Sequence, residues 1–287
     1  MKSLPLLAVL ACAACAPRAL CQQPPSARNT VNVAITSQRK MLVEAWVDGA
    51  RGNFLVDTGA GNSYMGEKFA DSLHLQRDEG GYSYNVLGSM RFDVVNVETM
   101  ELGAARIPLY HGLIHVSNLA WANKASAGLI HGIIGADILI RNQAIIDCAQ
   151  GRIILGNPGA QSASAAKRAV NFIPRRGDEI AVIAVVNGVA GKFIVDTGYN
   201  VSLVSPAFAY RLNAGAPARV VRVASLALGA SRLPARPGQM VVSTGIDVAN
   251  QGYIEQGEAP YDGVLGMDFL LGNRAIIDCR QRQLRFD

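Results

Sequence analysis

Charge, aromatic rings and available cysteine are all scarce in this 287-residue chain. Charged residues make up 17% and aromatics 6%, against a hydrophobic share of 50%. Basic residues are scattered, with a few adjacent pairs such as Lys167-Arg168 and Arg175-Arg176. No basic stripe is interleaved with aromatics, so no nucleic-acid partner is expected. Of the five cysteines, Cys12, Cys15 and Cys21 lie near the N-terminus, which leaves Cys148 and Cys279. Two cysteines do not make a zinc site. His111 and His115 stand four apart, but no Glu or Cys accompanies them at ligand spacing. No metal and no other cofactor is therefore expected. Beyond residue 25 no apolar run is long enough to span a bilayer. Sustained helical periodicity is missing too. Short Val- and Ile-rich runs broken by Gly, Pro and Asn predict a mostly β chain, with short helices at 66–75, 136–140 and 205–212.

The N-terminus reads as an export signal. Lys2 precedes an apolar core running from Leu4 to about Ala16, too short to cross a membrane. Pro17, Gln22, Gln23, Pro24 and Pro25 follow as a tether. Residues 1–23 are assigned to this leader, and the protein is expected in the periplasm or outside the cell. Val9-Leu10-Ala11-Cys12 is a poor lipoprotein box, and lipid anchoring stays open. Losing the leader removes Lys2 and Arg18 and no acid, leaving 25 basic against 22 acidic residues, a net +3.

What the chain has is repetition. Asp57-Thr58-Gly59 follows Phe54-Leu55-Val56, and Asp196-Thr197-Gly198 follows Phe193-Ile194-Val195, 139 positions later. A given tripeptide arises by chance in roughly one chain in twenty of this length, so two copies behind one apolar run point to a duplication. Asp48-Gly49 matches Asn187-Gly188 at the same offset. Leu102-Gly103-Ala104 matches Leu228-Gly229-Ala230 at 126. Ile133-Ile134-Gly135-Ala136-Asp137 matches Val264-Leu265-Gly266-Met267-Asp268 at 131, and Ala144-Ile145-Ile146-Asp147-Cys148 recurs unchanged as Ala275-Ile276-Ile277-Asp278-Cys279. The shorter offset gives the first half 13 more residues between its aspartate and its Leu-Gly-Ala block, near 78–92. A Gly- and Tyr-containing hairpin is predicted there, either a plain surface hairpin or a lid supplied by one half only.

These residues resemble the aspartic peptidases. Residues 54–60 resemble that family's active-site loop, and 133–137 and 264–268 its second signature. The short lobes are more similar to the retropepsin-like bacterial branch, whereas two lobes in one chain resemble the pepsin layout. The resemblance runs from about residue 31 to the C-terminus and implies an all-β acid-protease fold. Two similar β-barrel lobes, related by a pseudo-twofold axis, would enclose an active-site cleft. The lobes are expected at 24–158 and 159–287, joined by a linker within 156–170.

The resemblance also implies the chemistry. Asp57 and Asp196 would hold a water between them, one carboxylate acting as base and the other carboxyl as acid, with no covalent intermediate. Thr58 and Thr197 would each bond to the opposite loop, while Gly59 and Gly198 allow a turn closed to larger residues. Tyr82 and Tyr84 are weaker candidates for closing over a peptide or protein substrate. The second loop departs from the pattern at Tyr199, where the first has Ala60. A phenol there either crowds the pair or lines a subsite. The alternative reading is thus a non-catalytic peptide-binding module that keeps the fold; another is an enzyme clipped at the linker. One chain carries both aspartates, so a monomer suffices.

Overall fold

The computed structural model describes residues 29–86, 88–109, 111–124, 130–156, 168–173, 179–213, 215, 217–233, 238–255 and 257–286. The expected leader with its three cysteines, most of the expected linker, and Arg175-Arg176 lie outside these residues. The chain is mostly β, as its composition predicts, in three sheets.

The largest sheet curls into a half barrel. At its centre Met41–Val47 and Ala50–Val56 form a hairpin. Asp48 and Gly49 turn it with φ of 47° and 82°, the pair of left-handed residues that a two-residue hairpin turn needs. Alternate residues Met41, Val43, Ala45 and Val47 face the core. The hairpin Ala181–Val186 and Val189–Val195 repeats this in the second sheet, turned by Asn187 and Gly188 at 48° and 85°. Each hairpin's second strand ends against a parallel neighbour: Ala50–Val56 beside Gly132–Ile134, and Val189–Val195 beside Gly263–Leu265.

Strand order follows the same course in both sheets. The first runs Arg77–Asn85, Gly88–Asn96, Leu113–Ser117, Tyr64–Gly66, Gly132–Ile134, Ala50–Val56, Met41–Val47, Met100–Leu102, Ala105–Arg106. The second runs Val220–Arg222, Gln239–Val242, Leu203–Val204, Gly263–Leu265, Val189–Val195, Ala181–Val186, Leu226–Leu228, Ser231–Leu233. Leu113–Ser117 and Gln239–Val242 occupy matching places, each parallel to one neighbour and antiparallel to the other. Arg77–Asn85 extends that end of the first sheet, and among the described residues the second sheet has no equivalent strand there; Ala34–Ile35, paired beside Met41–Val47, is the first sheet's tenth strand. The 13 extra residues thus lie where a Gly- and Tyr-containing hairpin, 77–96, extends the first sheet.

The third sheet joins both halves of the chain. Ile145–Asp147 pairs antiparallel with Ile276–Asp278, Ile146 facing Ile277. The Cys148 N–H donates to the Ala275 carbonyl at 3.1 Å, and the Cys279 N–H to the Ala144 carbonyl at 2.9 Å. Both thiols are free and buried, and burial pushes each up to about 12. The two cysteines serve as small core residues. The main apolar core runs through all three sheets, from Val31 to Phe286, with smaller clusters around Leu55 and Tyr64, around Ile194 and Leu203, and at Ile145 and Ile276.

Six short helices complete the described residues: α1 Glu67–Ser72, α2 Ala120–Lys124, α3 Ala136–Arg141, α4 Pro206–Leu212, α5 Gly245–Glu255 and α6 Met267–Gly272. The expected helix at 66–75 ends early, because His74 turns left-handed at φ 55°. Ser205 caps α4, its Oγ accepting from the Phe208 N–H at 3.1 Å, with Pro206 in the first turn; both residues signal a helix start. α5 was not legible, since Gly245, Gly252 and β-branched residues weaken its helical signal. Among the described residues no helix is long and apolar enough to cross a membrane.

Candidate active site

The buried strand ends Phe54-Leu55-Val56 and Phe193-Ile194-Val195 deliver two aspartate loops to one point. The Asp57 N–H donates to the Ile134 carbonyl at 3.0 Å, and the Asp196 N–H to the Leu265 carbonyl at 3.0 Å. Each carboxylate then closes its own loop. Asp57 Oδ1 accepts from the N–H groups of Gly59 and Ala60, at 3.0 and 3.1 Å. Asp196 Oδ1 accepts from Gly198 at 2.7 Å.

Thr58 and Thr197 lock the loops together. The Thr58 hydroxyl donates to the Val195 carbonyl at 2.7 Å and accepts from the Thr197 N–H at 3.1 Å. The Thr197 hydroxyl donates to the Val56 carbonyl at 2.8 Å and accepts from the Thr58 N–H at 3.0 Å. Both side chains are wholly buried. Four bonds thus fix the spacing of the aspartates, and each uses a backbone group that would otherwise be buried without a partner.

The glycines matter for room, not for a left-handed turn. A Cβ at Gly59 would lie 2.4 Å from the Asp196 carboxyl, and one at Gly198 2.2 Å from Asp57 Oδ2. Neither residue has positive φ. Each glycine makes space for the opposing carboxyl, and that close approach is what shuts the position to a larger residue.

Asp57 and Asp196 meet where the loops cross, each carboxyl filling the space beside the other loop's glycine. Burial raises the proton affinity of both, and for Asp196 the negative charge of Asp57 adds to the effect. Two carboxyls this close do not both ionise, so the pair retains a proton to higher pH than a free aspartate would; aspartic peptidases are the type case of this effect. The protons belong to the pair.

Sequence reasoning missed several supports. Ser63 donates to Asp137 Oδ1 at 2.6 Å and accepts from the Gly135 N–H at 2.9 Å, which ties the first loop to the start of α3. Ser202 does the same to Asp268 and Gly266, at 2.6 and 3.1 Å, at the start of α6. Both serines stand six residues after their aspartates, a signal that was available. Lys40 gave no such signal. It is 5% exposed, and its ammonium donates to the Gly198 carbonyl.

The pair lies at a cleft of about 420 Å³. Tyr64, Tyr82, Tyr84, Trp121, Glu179 and Tyr199 are among its walls. Tyr82 is 70% exposed, at the rim. The 77–96 hairpin reaches across to α5, where a Cβ at Gly245 would lie 2.0 Å from the Val86 carbonyl and one at Gly252 3.0 Å from the Tyr84 ring. Tyr199 lines the cleft beside Asp196, and burial raises its phenol pKa. His115 is absent from the cleft wall and stacks on Phe92 at 4.1 Å. Among the described residues no cluster of three His, Cys, Asp or Glu side chains is placed to hold a metal.

A family model described as aspartyl protease matches residues 43–138. The match spans the Asp57 loop and the start of α3, and it bears out the resemblance to aspartic peptidases. No curated protein sequence matches the chain.

Proposed function

We propose that the protein is an aspartic endopeptidase in which Asp57 and Asp196 activate a water against a peptide carbonyl. One observation carries this reading: two carboxyls, brought together by crossed threonine bonds, face a cleft large enough for peptide side chains. The ionised member takes a proton from water while the water oxygen bonds to the carbonyl carbon. The protonated member gives its proton to the carbonyl oxygen, and a neutral diol results. The pair then gives its proton to nitrogen and takes one back from a diol hydroxyl as the C–N bond breaks, so it ends with one proton, as it began.

The two-lobe arrangement belongs to the same proposal, with lobes at 24–158 and 159–287 in a retropepsin-like chain. Matching strand orders, matching hairpin turns and the facing of Ile146 and Ile277 support descent from a duplicated half. The leader supports export to the periplasm or beyond. A single chain holding both aspartates is consistent with a working monomer.

The test is cleavage of a diverse peptide pool by residues 24–287, from acid to neutral pH, read by mass spectrometry. Asp57→Asn and Asp196→Asn should each abolish the cleavage that wild type performs. Tyr199 favours a second reading, a peptide-binding module, because its ring lies in the cleft beside Asp196. Cleavage that appears only after Tyr199→Ser would support that obstruction.

A further inference from the structure

Lys40 is a charged residue at this site that the proposed chemistry does not use. It ends a tight turn between Ala34–Ile35 and Met41–Val47. The Thr36 N–H donates to the Lys40 carbonyl at 2.9 Å, Thr36 Oγ1 accepts from the Lys40 N–H at 3.0 Å, and Arg39 is left-handed at φ 61°. The turn therefore fixes where the Lys40 side chain starts. Its ammonium ends on the Gly198 carbonyl in the opposite aspartate loop, 158 residues away. Arg39 reaches the same loop, donating to the Asn200 carbonyl at 3.4 Å. Lys40 does not line the cleft, so it meets the pair from within the protein.

We propose that Lys40 is a positioning residue for the aspartate pair: it anchors the Asp196 loop through the Gly198 carbonyl, and its charge balances the negative charge shared by Asp57 and Asp196, setting the pH range in which the pair holds a single proton. The proposal rests on the peptidase reading only for its effect on turnover. A buried ammonium is costly without a compensating anion. Burial lowers the proton affinity of Lys40, and Asp57 and Asp196 oppose that effect. In return Lys40 lowers the proton affinity of both aspartates. The other charged or titratable groups around the loops include Arg39 on its own turn, Tyr199 beside Asp196, Tyr64 in the cleft wall within reach of the Asp57 charge, and Glu179, whose Oε1 would lie 3.9 Å from a Cβ at Gly61. None of these is hydrogen-bonded to Lys40 among the described residues. Glu179 stands 139 positions after Lys40, at the matching place before the second aspartate. The duplicated position thus carries a basic residue in one half and an acidic residue in the other.

The sign of the effect follows. A cation beside the pair favours its ionised form. Removing it must raise both macroscopic steps, moving the acid and alkaline limbs of a bell-shaped rate profile to higher pH together. Lys40→Gln keeps a donor for the Gly198 carbonyl and removes the charge; both limbs should rise by about one pH unit. A purely structural Lys40 would lower turnover with the limbs unmoved, and that result overturns the proposal. A ¹³C titration of the Asp57 and Asp196 carboxyls, in wild type and Lys40→Gln, reads the same quantity without turnover. An upward shift there in a protein that cleaves nothing would remove the peptidase reading and leave the hold of Lys40 on the pair standing. Unshifted carboxyls would overturn the proposal whether or not the protein cleaves. Should Lys40→Gln not fold, the wild-type Lys40 Nζ signal decides: a neutral amine at pH values where the pair is ionised would sink the idea, and an ammonium there upholds it.

Discussion

The Asp57 and Asp196 loops share the bonds that hold their frame and differ in what closes on them. Each aspartate N–H is held by the strand beside it, each threonine crosses to the other loop, and each serine six residues on ties its loop to a helix start. Around this frame the likeness fails. Lys40 docks on the second loop, whereas its counterpart Glu179 lies by the first with Oε2 buried and unpartnered among the described residues. Ala60 follows the first Gly, Tyr199 the second. The 77–96 hairpin extends the first sheet, and the second has no such extension among the described residues. Likeness is kept where spacing between two carboxyls must be held within a few tenths of an ångström. It is lost where charge and cleft shape are set.

The largest expected effect tests whether the aspartates are equivalent. Asp57→Asn and Asp196→Asn should each lower kcat/KM by about 10³- to 10⁴-fold, since each removes half of one acid–base pair. A tenth of wild-type activity surviving in either variant would mean that one loop works alone. The same variants should differ from wild type in stability, with a definite sign. Both aspartates hold their proton more tightly in the folded state. Their contribution is therefore full below the unfolded pKa and falls as pH rises through the folded values. The Asn variants should melt above wild type at neutral pH, and that gap should close in acid. A gap that widens in acid would contradict the buried, proton-sharing pair.

Next come the threonines. Thr58→Val and Thr197→Val each remove a donor and an acceptor from a wholly buried site, leaving a carbonyl and an N–H unpaired. Each should cost about 2–4 kcal/mol in urea unfolding. Because the bonds cross, the double variant should cost less than the sum of the two. Strict additivity would show that the two threonines act independently.

Much of this frame was legible in the sequence because it rests on local chemistry written twice. The aspartate loops, the hairpin turns at Asp48-Gly49 and Asn187-Gly188, the cap at Ser205 and the place of the extra hairpin all follow from short signals. Ser63 and Ser202 were legible in principle, for they share the offset of 139. Lys40 was not. A lysine before a strand reads as solvated charge, and only the approach of a loop 158 residues away buries it. α5 was hidden for a related reason. Its glycines argue against a helix locally, and their purpose emerges only from the hairpin packed against it.

That packing gives the smallest and sharpest test of the asymmetric part. A Cβ at Gly245 would meet the Val86 carbonyl at 2.0 Å, so Gly245→Ala forces the hairpin tip away from α5. A Cβ at Gly252 meets the Tyr84 ring at 3.0 Å, a crowding that a side chain relieves by shifting a few tenths of an ångström. The intrinsic helix preference runs the other way, since Ala favours a helix interior over Gly by about 1 kcal/mol. Gly252→Ala should therefore leave the melting temperature equal or slightly raised. If the hairpin must lie on α5 to hold substrate, Gly245→Ala should raise KM by about 3- to 10-fold with little change in kcat, and Gly252→Ala by less. Unchanged kinetics in both variants would mean that the contact is packing between neighbours, and that the strand Arg77–Asn85 has no part in binding.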